Sequence, residues 1–424
     1  MSNYEQMWTD LDIDLERHNL LLNALSTLYS TTYLSQQQRP KGMEYFDSVV
    51  SEVHGGRVKE LVEQRANGGK VFVTFCIYVP DEMIIAANGS WVGLCGGADL
   101  TIPKAEEVLP RNLCPLLKSS FGFKLERICP YFQVADLVVG ETTCDSKKKA
   151  FELLRDYVPM YVMEVPQRKG DKDQELWLSE LYAFKDKVEE VTGNKITSEK
   201  LAQAIAVVDG RRVALERLFA LRRADPAPIS GLDALLIMQL AFFDDPSRLT
   251  TQVNALCDEL EECVKQGKGM VPKGTPRILI VGTPMVIPNW KVHSIVETSG
   301  AVIVCEESCV GTRFLTGATQ VGGDGLDAQI KAIADRQFNI HCACFTPNDE
   351  RIEDILRLSK EYNADGVIYC SLTFCQPFNV EAEKVKRALG KEGIPMLTLE
   401  TDYSEGDTGQ LKTRVEAFLE QVAQ

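Results

Sequence analysis

The chain has 424 residues, enough for two or three domains each burying its own core. Its net charge of −15 argues against a nucleic-acid partner, which needs a basic surface, and 45% apolar with 25% charged residues is a globular composition. No run of about 18 uninterrupted apolar residues occurs, and the opening MSNYEQMWTD lacks the basic and apolar regions of a secretory signal, so a cytoplasmic protein is expected.

Residues 1–68 read as a helical segment, with Leu21, Leu22, Leu25, Leu28 and Tyr29 at helical spacing. A strand is predicted at 70–75 (KVFVTF), running into Cys76, and short apolar runs at 135–140 and 159–164 complete a first α/β domain over 69–171. From 172 to 272 the chain turns helical and charged, apart from an apolar helical pattern at 232–243. The Pro/Gly-rich VPKGTPR then marks a boundary. Strands resume at 277–282, 301–305, 365–370 and 395–400, with helices at 328–336 and 349–362, giving a second α/β domain over 273–424. Alternating strands and helices predict parallel sheets.

The two α/β segments look like copies of one another. Residues 135–140 (ADLVVG), followed by Cys144, mirror 364–369 (ADGVIY), followed by Cys375. Residues 158–164 (VPMYVME) mirror 394–400 (IPMLTLE), and 71–80 resembles 278–288. The matching pieces occur in the same order, which points to a duplicated, doubly wound Rossmann-like α/β architecture with an N-terminal helical segment and a helical insertion.

Thirteen cysteines are the strongest chemical signal. In a reducing compartment clustered thiols hold metals or do redox chemistry. Cys76, Cys144, Cys305, Cys309, Cys370 and Cys375 fall at or just after strand ends, where open parallel sheets bind ligands. Cys114 (NLCPLLKS) and the Cys342–Cys344 pair (NIHCACFTPN) lie in loops, the latter before a helix start with Thr346 or Asn348 as N-cap. A structural zinc site favours C-x₂₋₄-C knuckles. Cys305 and Cys309 fit that spacing, Cys342 and Cys344 do not, and zinc leaves Cys114, Cys144 and Cys375 unexplained. Iron–sulfur sites accept thiolates from dispersed loops. Cys257 and Cys263 read as packing residues, Cys95 and Cys129 as either, and Cys76 and Cys370 as alternates at strand ends.

With Cys114 in NLCPLLKS, Cys144 in TTCDSKKKAFELL, and Cys375 followed by GIPMLTLETDY and GQLKTRVEAFLE, the chain resembles the 2-hydroxyacyl-CoA dehydratase and benzoyl-CoA reductase superfamily from about residue 40 onward. The extra cysteines in CEESCVGTRF and NIHCACFTPN are similar to its double-cubane cluster branch. The resemblance implies that Cys114, Cys144 and Cys375 hold one four-iron cubane. It also implies that Cys309, Cys342 and Cys344 hold a second, sulfide-bridged to the first, with Cys305 as the alternate to Cys309.

What the resemblance implies for function is low-potential reduction of a small molecule. Electrons would come from a separate homodimeric ATP-hydrolysing iron–sulfur activator. The chain has no G-x-x-x-x-G-K-[ST] phosphate loop, which is consistent with nucleotide work on a partner. A self-sufficient chain of this kind is expected as a homodimer. Two alternatives stand: a 2-hydroxyacyl-CoA dehydratase subunit with a single four-iron cluster, and a zinc-stabilised scaffold without chemistry. Four histidines, with no G-x-S-x-G or H-E-x-x-H, leave a hydrolase without support. Beside the cysteines, Glu306, Glu307 and Arg313 read as helix-capping or ion-paired groups, with Glu307 alternatively a proton donor. His341 reads as a group tuning the cluster or as a surface residue, and His293 as packed on a helix. The run Lys147-Lys148-Lys149 reads as a solvated face or as a docking patch for the activator. The substrate is left open, a CoA thioester included.

Overall fold

The computed structural model describes residues 4–93 and 96–423. Among these, eight strands form two four-stranded sheets, every pairing parallel. The first contains β1 (Lys70–Thr74), β2 (Gly89–Gly93), β3 (Leu137–Glu141) and β4 (Met160–Met163), in the order β2-β1-β3-β4. The second contains β5 (Arg277–Gly282), β6 (Val302–Glu307), β7 (Gly366–Leu372) and β8 (Met396–Thr401), in the order β6-β5-β7-β8. Strand for strand, the order is the same. The fold is α/β with two doubly wound parallel sheets, as the alternating pattern predicts.

The repeat extends to a hydrogen bond. Asp136 accepts from the backbone N–H of Val71 at 2.8 Å, tying the start of β3 to β1. Asp365 accepts from the N–H of Arg277 at 2.8 Å, tying the start of β7 to β5. These are the aspartates of the two Ala-Asp dipeptides in the mirrored segments.

Continuous apolar runs mark strands covered on both faces. Residues of β3, β5, β6 and β7 are buried throughout, whereas the edge strands β4 and β8 are half-exposed over their first three residues. β2 has no counterpart among the predicted strands. Its GSWVG holds two large apolar residues between glycines, too short a run to register a period.

Helices Glu5–Asp10, Leu15–Thr32, Met43–Ser51 and Gly56–Ala66 precede the first sheet, and Asp171–Thr192, Ser198–Leu221, Gly231–Leu240 and Pro246–Lys265 separate the sheets. Gly231–Leu240 is buried along its whole length, as its apolar sequence requires. Arg222 pins the insertion to the second sheet: its guanidinium meets Glu306 at 2.6 and 2.7 Å and the carbonyl of Ile303 at 3.0 Å, with no solvent access to its side chain. No helix among the described residues is long and apolar enough to cross a membrane.

At the end of β5, Gly282 has φ +136°, and a Cβ there would lie 1.9 Å from the Cys370 carbonyl oxygen. Only glycine lets the chain leave the sheet beside β7.

Candidate functional site

The carboxyl ends of both sheets face one cavity of about 740 Å³. Loops after β1, β3, β5, β6 and β7 contribute to it, where ligands bind in open parallel sheets. Seven cysteines line it: Cys76, Cys114, Cys144, Cys309, Cys342, Cys344 and Cys375. Six are the residues singled out as cluster ligands. Cys76, read as an alternate, is the seventh.

Three of these thiols share a local design. Cys114, Cys144 and Cys375 occupy the N-cap positions of helices Pro115–Leu125, Asp145–Leu154 and Gln376–Lys391. The partial positive charge at a helix N-terminus favours thiolate over thiol. Their sequences supply the start signals: proline at N1 after Cys114 and at N2 after Cys375, and aspartate after Cys144.

The seven thiols fall into two groups. Cys375 hydrogen-bonds Cys114 and holds it down at about 7, helped by the N–H groups of Leu116 and Leu117 against the opposing effect of burial. The same bond pushes Cys375 well up, and Cys144 lies within electrostatic reach. In the other group, Cys344 hydrogen-bonds Cys342 and holds it down at about 6, against burial and with the aid of Arg313 and Arg351. Cys309 and Cys76 complete this group, both raised by burial.

A buried polar node stands behind the second group. Glu307, at the end of β6, receives Arg351 Nε at 3.1 Å and Arg351 Nη2 at 2.8 Å, and Arg313 Nε lies 3.2 Å away. Arg313 also donates to the Gly282 carbonyl. Both guanidiniums lie over the Phe378 ring, at 5.0 and 4.9 Å, three residues past Cys375. Arg351 pairs with Glu381, which accepts from Asn348 Nδ2 at 2.8 Å, and the same Nδ2 donates to the Cys342 carbonyl at 3.0 Å. Tyr78, after β1, reaches across to the Ile340 carbonyl at 2.9 Å. The node thus ties together the segments bearing Cys309, Cys342, Cys344 and Cys375.

Other predicted residues lie elsewhere. Cys305 is buried within β6 beside Tyr362, and Cys370 within β7; neither lines the cavity. Cys257 is buried in a helix of the insertion and Cys129 in the core, while Cys95 lies outside the described residues. Glu307 and His341 do not line the cavity, and His341 Nδ1 is 2.6 Å from Asp354 Oδ2. His293 is packed on its helix 3.4 Å from Glu306. Asn348 takes the N-cap position of helix Asp349–Glu361, but its side chain serves Cys342 and Glu381 instead of capping. Lys147 departs from the solvated face read for the lysine run: it turns inward, pairs with the buried Glu141 and lines the cavity. Lys148 and Lys149 keep to surface pairs with Asp145 and Glu152.

The donor set fits an iron–sulfur group. Soft thiols converge on the cavity from the loops of both sheets. No three histidine, cysteine or acidic side chains among the described residues gather closely enough for a single metal ion. The thiols surround a volume instead.

Fold and site together define a class: a duplicated α/β protein whose two sheets meet over a thiol-lined cavity. The chain belongs to the family described as 2-hydroxyglutaryl-CoA dehydratase, D-component, whose model matches residues 76–422, and so to the 2-hydroxyacyl-CoA dehydratase and benzoyl-CoA reductase superfamily. It is 38% identical to the putative dehydratase subunit YjiM of Escherichia coli (strain K12) over 85% of this chain and 93% of that protein. It is 24% identical to the (R)-phenyllactyl-CoA dehydratase beta subunit of Clostridium sporogenes, over 89% of this chain and 98% of that one. Against a benzoyl-CoA reductase subunit of Thauera aromatica the identity is 22%, over 83% of this chain and 91% of that one.

Proposed function

We propose that this chain is an iron–sulfur reductase holding a double-cubane cluster. Cys114, Cys144 and Cys375 would hold one cubane, and Cys309, Cys342 and Cys344 the other. The observation that carries the reading is that all six thiols, with Cys76 beside them, line one cavity at the carboxyl ends of the two sheets. When bound, such a group supplies single electrons at low potential. The chain's own residues position Cys114, Cys144 and Cys375 at helix N-termini and brace the Cys342–Cys344 loop through Asn348. In this reading Glu307 is the proton-delivery group and His341 the group that tunes the cluster, both standing outside the cavity lining. Electrons would come from a separate homodimeric ATP-hydrolysing iron–sulfur activator, and the chain would work as a cytoplasmic homodimer on a small molecule.

A second reading is favoured by the relatives named as dehydratase beta subunits. It gives this chain a single cubane on Cys114, Cys144 and Cys375 and a 2-hydroxyacyl-CoA dehydratase role. Iron content of protein purified without oxygen separates the two: about eight irons per chain for the double cubane, about four for one. Electron paramagnetic resonance of the reduced protein gives a second readout. Iron-free protein would overturn both readings, and zinc in its place would support a scaffold.

A further inference from the structure

A half-buried cation, Lys147, lines the cavity together with both thiol groups. β3 ends on Glu141, whose side chain is inaccessible to solvent. Its Oε1 accepts from Thr143 Oγ1 at 3.0 Å and pairs with Lys147, while Oε2 has no hydrogen-bond partner among the described residues. Lys147 stands in the first turn of the helix that Cys144 begins, its side chain 20% exposed against 81% for Lys149. It lines the same cavity as Cys114 and Cys144 of one group and Cys76, Cys309 and Cys344 of the other. A lysine paired with a carboxylate carries its charge at neutral pH. Arg313, by contrast, sits in the buried node with Glu307 and does not line the cavity.

We propose that Lys147 and Glu141 set the reduction potential of the group held by the cavity thiols, the ammonium stabilising the reduced state and the carboxylate opposing it. The inference rests on the iron–sulfur reading. An added electron raises negative charge in a site of low dielectric, where a charge a few ångströms away counts for far more than in water. Local charge is one of the determinants of cluster potential.

The test is a redox titration of Lys147→Met, Lys147→Arg and Glu141→Gln proteins, purified without oxygen, after iron analysis and electron paramagnetic resonance of each. Lys147→Met is expected to lower the midpoint potential, Lys147→Arg to restore it, and Glu141→Gln to raise it. A packing defect would not give opposite signs at the two positions. Iron-replete Lys147→Met protein titrating at or above the wild-type potential overturns the inference, as do shifts of Lys147→Met and Glu141→Gln in one direction. Should Lys147→Met fail to load iron, an unshifted, iron-replete Glu141→Gln protein overturns it equally. Iron-free wild-type protein is a different failure, that of the cluster reading itself.

Discussion

Arg351 grips Glu307 with two parallel hydrogen bonds, Nε to Oε1 at 3.1 Å and Nη2 to Oε2 at 2.8 Å, and both side chains are almost fully buried. Removing one partner of such a pair strands the other charge away from water, at a cost of about 3–5 kcal/mol. Glu307→Ala should lose stability of that size in denaturant titration. Glu307→Gln keeps the shape and one acceptor, and it separates two roles. If Glu307 delivers protons, turnover falls while iron content and the paramagnetic signal are retained. If it only braces the loop, the signal changes as well.

Single replacements should sort the cysteines. Cys309→Ser or Cys342→Ser is expected to reduce iron from about eight to about four per chain and to alter the signal of the reduced protein. Cys305→Ser should change neither, because that thiol lies inside β6 away from the cavity. Cys76→Ser should also retain the iron. A loss there would place Cys76 among the ligands in exchange for one of the six.

Acid should destabilise the N-terminal helices through a histidine pair. His18 Nε2 and His54 Nδ1 lie 2.9 Å apart, and burial lowers His18 to about 4 and His54 well below its usual value. In the unfolded chain both take up protons near ~6.5. The folded state binds fewer protons over that interval, so stability is complete above about pH 6.5 and falls as pH drops toward about 4. For His18 alone the loss is about 2 kcal/mol by pH ~5. Denaturant titrations between about pH 7.5 and 5 should show this slope, and His18→Gln, which keeps a hydrogen bond without titrating, should reduce it.

Gly282→Ala should be among the most damaging single-atom changes. Its Cβ would meet the Cys370 carbonyl oxygen at 1.9 Å, on backbone in a φ region closed to alanine. The β5–β7 pairing must shift to admit it, and overpacking of this kind costs about 1–3 kcal/mol or more. Thermal denaturation of the two proteins side by side measures the loss.

Much of the architecture was legible in sequence because parallel strands buried on both faces leave continuous apolar runs, as in ILIV of β5 and LVV of β3. β2 was not, since two apolar residues between glycines carry no period. The repeat was readable from Ala-Asp and Pro-Met dipeptides. The hydrogen bonds of Asp136 and Asp365 supply its physical reason, a side-chain tie at each strand start.

In the site, position after strand ends picked out Cys76, Cys144, Cys309 and Cys375 together with the buried Cys305 and Cys370, because parallel sheets present their carboxyl ends to ligands, whereas Cys114, Cys342 and Cys344 were singled out as ligands by the family resemblance. Cys305 and Cys309 were indistinguishable by spacing. Only the end of β6, between them, puts one in the core and the other in the cavity.

The sequence by itself thus determined the fold class, the duplication and the kind of donor atom, since these follow from local periodicity and residue chemistry. Tertiary structure alone decided which thiols meet, which way Lys147 turns and what Glu307 is bound to. Those depend on contacts between segments far apart in the chain, such as Tyr78 with Ile340 and Arg351 with Glu307. No local pattern encodes them.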